Sequence, residues 1–227
     1  VEALFGLLFY VPALVLAVRA AEPLPHRSEV SRSRPPWATI GLLLLVGIPS
    51  LAQLAAPEVY TWLHRDSDLI MQHGQWWRPY TSFMVQDGGL AGTAFNLATL
   101  AIVGTVAERV WGRAMMLGIF FGCLLLFSID TFLVAQPPGG GNSASTFRLA
   151  TSMAGLALVA RPALRSRLLA CGIIAIAVAL LVLGDPHGEP LITGMAVGLV
   201  VALVGRRLTG RATAQPVTAG IRMTPEP

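Results

Sequence analysis

Apolar stretches of nearly equal length recur along the chain, each close to the roughly 20 helical residues that cross a hydrocarbon core of about 30 Å. Seven can be drawn, at about 3–18, 37–56, 89–107, 114–135, 143–160, 166–184 and 190–205. With 227 residues, 54% of them hydrophobic and only 12% charged, the chain cannot hide this surface in a water-soluble domain. Disorder is excluded on the same ground. Helices are the natural spanning element because they satisfy their own backbone hydrogen bonds in lipid, so the expected fold class is an all-α polytopic membrane protein. Cys123 and Cys171 lie inside apolar runs and are too few for a disulfide framework or a thiolate metal site. No metal or cofactor is expected. The net charge of +4 comes from 16 arginines dispersed between the apolar stretches. A patch for nucleic acid is absent, and the expected partner is the lipid bilayer.

Arginines near span ends favour the cytoplasm. Arg19, Arg27, Arg32 and Arg34 occupy the first connection, Arg109 and Arg113 the third, and Arg161, Arg165 and Arg167 the fifth. Arg206, Arg207, Arg211 and Arg222 follow the last span, which places 13 of the 16 on one side. Only Arg65 and Arg78 fall in the opposite loops, and Arg148 falls within a span. The N-terminus is therefore expected outside and the C-terminus in the cytoplasm, in a bacterial plasma membrane, with Asp66, Asp68, Asp185 and Glu189 on the outer face. The first segment is short and has a small-residue site at Val18-Arg19-Ala20, which leaves a signal peptide open beside an extra transmembrane helix. It lacks a basic start and its arginine lies on the wrong side, so the extra helix is the reading adopted. Residues 1–36 are accordingly assigned to that helix and a basic linker, 37–207 to a six-span core, and 208–227 to a short disordered cytoplasmic tail.

Two connections stand out. The external stretch 57–88 carries Tyr60, Trp62, Trp76, Trp77 and Tyr80, which favour the headgroup region. The stretch 136–142, Gln-Pro-Pro-Gly-Gly-Gly-Asn, cannot be helical and must be shielded by protein or face water. Directly after it comes Ser143, at the start of the fifth segment, while His187 lies just before the seventh. Both segments run inward, so heights can be counted from the cytoplasmic arginines: 18 residues from Ser143 to Arg161 and 19 from His187 to Arg206. At 1.5 Å per residue these are about 27 and 28 Å, which puts both side chains at one depth, as a serine nucleophile and a histidine base require. A serine N-cap and an ordinary loop histidine are the bland alternatives.

Residues 76–113 resemble the rhomboid intramembrane serine proteases. There a Trp-Arg pair opens the large external loop, and the second core helix has an Asn, a Gly, an acidic-basic pair and a closing Gly. Trp77-Arg78, Phe95-Asn96, Gly104, Glu108-Arg109 and Gly112 fill those places. The family's Gly-x-Ser-Gly element, with an aromatic four residues beyond the serine, is matched by Gly141-Asn142-Ser143-Ala144 and Phe147. His187 is followed by Pro190, Gly194 and Gly198, where the family has small residues. The resemblance covers about residues 37–205 and implies a rhomboid-like six-helix core with one extra N-terminal helix.

It further implies a Ser143–His187 dyad that cuts transmembrane protein substrates near the outer leaflet. The oxyanion would be held by the Ser143 backbone N–H and the Asn96 amide. Gly139, Gly140 and Gly141 would let the loop backbone approach the substrate, and Gly194 and Gly198 would let the seventh helix pack on the fifth. Departures from the pattern are Gly92 for a histidine, Ala144 for a glycine, and Pro190, which predicts a helix starting at 190 with His187 on a less rigid loop. Arg148, five residues below Ser143, needs a partner, for which Asp130 is the candidate. Two other functions compete: a rhomboid pseudoprotease that binds membrane-protein clients without efficient hydrolysis, and a transporter. The transporter reading rests on the intramembrane charges and glycine-rich breaks, without an inverted repeat.

Overall fold

The computed structural model describes residues 6–24, 35–133, 138–161 and 163–213. Among these residues regular structure is helical, with one isolated bridge between Arg65 and Gly139. A π-helical turn, Gly6–Tyr10, leads into α1 (Val11–Ala21). The long helices that follow are α2 (Trp37–Ala55), α6 (Gly89–Trp111), α7 (Arg113–Leu133), α8 (Ser143–Ala160), α9 (Leu164–Val182) and α10 (Gly188–Thr213). Between α2 and α6 the aromatic stretch folds into three short helices, α3 (Glu58–Leu63), α4 (Ser67–Met71) and α5 (Arg78–Thr81), and a 3₁₀ turn, Ser82–Met84. Trp62, Trp76, Trp77 and Tyr80 are exposed there. Buried Arg78 organises the stretch by donating to Gln75 Oε1 and to the carbonyls of Thr61 and His64.

Among the described residues four helices are long and apolar enough to cross a membrane: α2, α6, α9 and the Gly188–Arg207 part of α10. Helix α8 is long enough but too polar, and the reason is its position. It packs against α1, α6, α7, α9 and α10, and Ser145, Thr146, Arg148, Thr151 and Ser152 are all buried in these contacts. A central helix meets protein rather than lipid, so its polar groups need partners and not an apolar coat. Exposed apolar residues lie on the outer helices, among them Ile48 and Leu51 of α2, Val178 and Val182 of α9, and Val200 and Val204 of α10.

The motif residues of α6 are ties. Buried Glu108 accepts from the Thr39 N–H (2.8 Å), the Thr39 hydroxyl (2.9 Å) and Arg113 Nε (3.1 Å), which satisfies orphan donors at the α2 N-terminus. Gly112, at φ +78°, stops α6 and lets α7 begin one residue later. Trp111 Nε1 donates to Ser152 Oγ (3.1 Å), joining α6 to α8.

Helices α8 and α10 form the closest seam. A Cβ on Gly198 would lie 1.9 Å from the Ser152 carbonyl oxygen, one on Gly194 2.3 Å from Thr151 Oγ1, and one on Gly155 2.1 Å from the Met195 carbonyl oxygen. Backbone-to-backbone approach of this kind is how membrane helices gain dispersion energy when lipid is as apolar as leucine.

Two expected boundaries move. Helix α10 begins at Gly188, not at Pro190, and runs to Thr213, beyond the tail boundary drawn at 208; residues 214–227 lie outside the described residues. The basic linker is described only up to Leu24 and again from Pro35.

Candidate active site

Ser143 is the first residue of α8, directly after Asn142, whose side-chain amide donates to Thr146 Oγ1 (2.8 Å). His187 stands one residue before α10, and the α8–α10 seam brings it across: His187 Nε2 is 3.1 Å from Ser143 Oγ. The expectation of a loosely held histidine is overturned. Its backbone N–H donates to Asp185 Oδ1 (2.8 Å), and its Nδ1 lies 2.8 Å from the same oxygen. Its ring packs between Phe147, edge-on at 5.5 Å, and Tyr10, at 4.7 Å. The reason is that the Asp185 turn and two aromatic rings fix the loop before the helix begins, so Pro190 sits inside the first turn, where its missing N–H costs nothing.

Tyr10 reaches this point from the N-terminal segment. Its hydroxyl donates to Asp185 Oδ2 (2.5 Å) and lies 3.1 Å from His187 Nδ1. Asp185, in the turn between α9 and α10, would have its carboxyl pKa raised by burial, but the bonds from His187 and Tyr10 outweigh this and hold it at about 2. An ionised carboxylate only accepts, so the imidazole proton belongs on Nδ1 and the Nε2 lone pair faces the serine.

On the other side of Ser143, Asn96 Nδ2 donates to Gln86 Oε1 (2.7 Å). Gln86 is itself buried and fully engaged: its side chain donates to Ser50 Oγ (3.1 Å), and its backbone N–H and carbonyl pair with the Gln53 amide (2.9 and 2.7 Å). A Cβ built on Gly141 would lie 3.6 Å from Gln86 Oε1, 3.6 Å from Ser143 Oγ and 3.7 Å from Asn96 Nδ2, so these three groups border one small space. Gly139 and Gly140 are held to the preceding loop, by the Arg65 bridge and by the Gly140 N–H to Asp87 Oδ2 (3.0 Å). A Cβ on Gly140 would meet Val85 Cγ2 at 2.8 Å.

The departures from the expected pattern now have physical readings. Gly92 has no room for a side chain, since a Cβ would lie 2.0 Å from the Asp87 carbonyl oxygen; the polar neighbour of Asn96 comes instead from Gln86. Ala144, at the second position of α8, is only half-buried. Arg148 is buried and pairs with Glu189 and Thr193 Oγ1 (3.0 Å) of α10; the side chain of Asp130, the expected partner, lies outside the described residues. Glu189 reaches Arg148 because the glycine seam holds α10 against this face of α8. Sequence reasoning missed Tyr10, Gln86 and Asp185 as site residues. Only Asp185, two residues from His187, had a local signal that could have found it.

Comparison with known proteins agrees with this architecture. Residues 73–208, well over half of the chain, match the Rhomboid domain family. One stretch of 83 residues, 37% of this chain, is 35% identical to the rhomboid protease GluP of Bacillus subtilis (strain 168), and covers 16% of the length of that protein. With its helix order, its tied α6 motif and the family match, the chain belongs to the rhomboid family.

Proposed function

We propose that the chain is an intramembrane serine endopeptidase that cleaves transmembrane proteins near the outer leaflet. The observation that carries this reading is the 3.1 Å contact of Ser143 Oγ with His187 Nε2 at the head of α8. His187 takes the serine proton as Oγ attacks a peptide carbonyl. It then returns that proton to the leaving amine as the C–N bond breaks, and water hydrolyses the acyl-enzyme. The oxyanion is held by the Ser143 backbone N–H and by Asn96, whose NH₂ carries two hydrogens and spends one on Gln86. Gly139, Gly140 and Gly141 border the space where the scissile segment lies, and the positive end of α8 favours the developing charge.

Incubating the reconstituted protein with a transmembrane reporter tests this. Cleavage should be present and should fall on the order of 10⁶-fold in Ser143→Ala. Cleavage that survives this substitution overturns the reading. Topology is checked separately in a background without Cys123 and Cys171. A cysteine in the 57–88 loop should label from outside intact cells and one at 163–165 should not, whereas the reverse would put the dyad on the wrong face.

A second reading, a client-binding rhomboid without efficient hydrolysis, is favoured by one observation. Gly92 offers no side-chain donor, and the Asp87 carbonyl leaves no space for one. Absence of cleavage together with co-purification of membrane-protein clients would select it.

A further inference from the structure

We propose that Asp185 and Tyr10 are positioning residues for His187, so that the N-terminal helix completes the catalytic apparatus and the dyad works as the head of a four-residue chain, Ser143–His187–Asp185–Tyr10. The proposal rests on the serine-protease reading. Four contacts carry it. Ser143 Oγ lies 3.1 Å from His187 Nε2, His187 Nδ1 lies 2.8 Å from Asp185 Oδ1, and the Tyr10 hydroxyl donates to Asp185 Oδ2 at 2.5 Å and lies 3.1 Å from His187 Nδ1. Asp185 thus meets the ring nitrogen opposite the one that faces the nucleophile. A carboxylate in that place selects the tautomer whose Nε2 lone pair is free to take the serine proton, and stabilises the imidazolium once the proton has moved. Tyr10 holds the second oxygen, which stops the carboxylate from rotating away.

The delivery of Tyr10 is built into the fold. It immediately precedes α1, whose Ala13, Ala17, Ala20 and Ala21 are buried, and α1 packs against α8, α9 and α6. Leu16 of α1 sits against Gly172 of α9, where a Cβ would lie 3.0 Å from Leu16 Cδ1. The small-residue stripe brings α1 close enough for the tyrosine to reach a turn 175 residues away in sequence.

A purely structural role for Asp185 is the competing explanation, since its Oδ1 also accepts the His187 backbone N–H and closes a turn. Asparagine closes such turns as well as aspartate does. Asp185→Asn therefore keeps the turn and removes the charge, while Asp185→Ala removes both. In the full chain reconstituted in liposomes, kcat for a transmembrane reporter and the rate of Ser143 labelling by a fluorophosphonate should fall about 10–100-fold in Asp185→Asn, with KM little changed. The loss in Asp185→Ala should be on the order of 10³-fold or more. Asp185→Glu should recover activity to within about 10-fold of the parent, and Tyr10→Phe should lose about 3–10-fold.

The ring ¹⁵N shifts of His187, assigned by difference from His187→Gln, should report Nδ1–H in the parent and a mixture of tautomers in Asp185→Ala. Asp185→Asn within about twofold of the parent, with the Asp185→Ala loss tracking thermal stability alone, overturns the proposal. Should the parent neither label nor cleave, the protease reading fails, and the tautomer measurement alone decides: Nδ1–H lost in Asp185→Ala upholds the positioning chain, and an unchanged ring overturns it.

Discussion

Helix α8 is held on two sides by contacts of opposite kind. Against α10 it meets backbone with backbone, and three glycines leave no space for a single methyl group. Against α1 it meets a helix whose buried face is lined by Ala13, Ala17, Ala20 and Ala21, while Leu16 of the same helix seats on Gly172 of the neighbouring α9. The first sets the distance between Ser143 and His187, because those residues head the two helices of the seam. The second sets no distance, yet through Tyr10 it bears on the orientation of the histidine ring. In lipid, where helix association depends on packing and hydrogen bonds, rigidity and adjustability are divided between two faces of one helix.

The largest effect should separate the two faces directly. Gly198→Val forces side-chain atoms into the Ser152 carbonyl, and should cost more than about 3 kcal/mol and abolish Ser143 labelling. Ala17→Val, on α1, should cost about 1–3 kcal/mol and leave labelling within an order of magnitude. Equal effects in thermal unfolding and labelling would break the distinction.

Next in size is the polar pin across the seam. Arg148→Met strands Glu189 and should destabilise by about 2–4 kcal/mol, less than for a fully buried pair because Glu189 is 45% exposed. The double variant Arg148→Met with Glu189→Leu should regain most of that in the same unfolding assay. A double variant no better than the single one would show that the pair, and not glycine packing alone, holds α8 to α10.

The pH dependence of the α1 side follows from Asp185. Its folded pKa of about 2 lies below the ordinary 3.8, so its contribution is present in full above about pH 4 and is lost as pH falls through about 2. The shift corresponds to about 2 kcal/mol. The stability of the parent should approach that of Asp185→Asn by this amount between pH 5 and pH 2, and a constant difference would mean that Tyr10 and His187 do not stabilise the ionised carboxylate.

The smallest effects concern the positions that depart from the family pattern. Ala144→Gly should change labelling less than about threefold, since Ala144 is only half-buried, the glycine costing its helix propensity of about 1 kcal/mol. Gly92→His should lower activity and not restore it, because its Cβ would collide with the Asp87 carbonyl. A gain in labelling from Gly92→His would show that the loop after Val85 can yield.

Membrane spans, their order and the arginine asymmetry are local properties of the chain. Hydropathy over about 20 residues is enough to read them, and the equal depth of Ser143 and His187 needs only the helical rise. The glycines at 194 and 198 were legible as a packing face for the same reason, since a four-residue repeat is visible along one helix. What the chain could not disclose by itself was which partners meet across helices. Arg148 needs a partner inside the bundle, for which the sequence pointed only to Asp130, and it is the seam that brings it Glu189. Gln86 sits in a connection with no periodicity, and it became the neighbour of Asn96 only because Ser50 and Gln53 of α2 close around it. Tyr10 is the extreme case: nothing in an apolar N-terminal helix distinguishes one aromatic residue from its neighbours, and only the packing of α1 against α8 and α9 turns it toward Asp185. Sequence determines where a helix runs because its hydrogen bonds close within four residues; tertiary structure decides what its side chains do, because contacts between helices carry no signature in either strand of sequence alone.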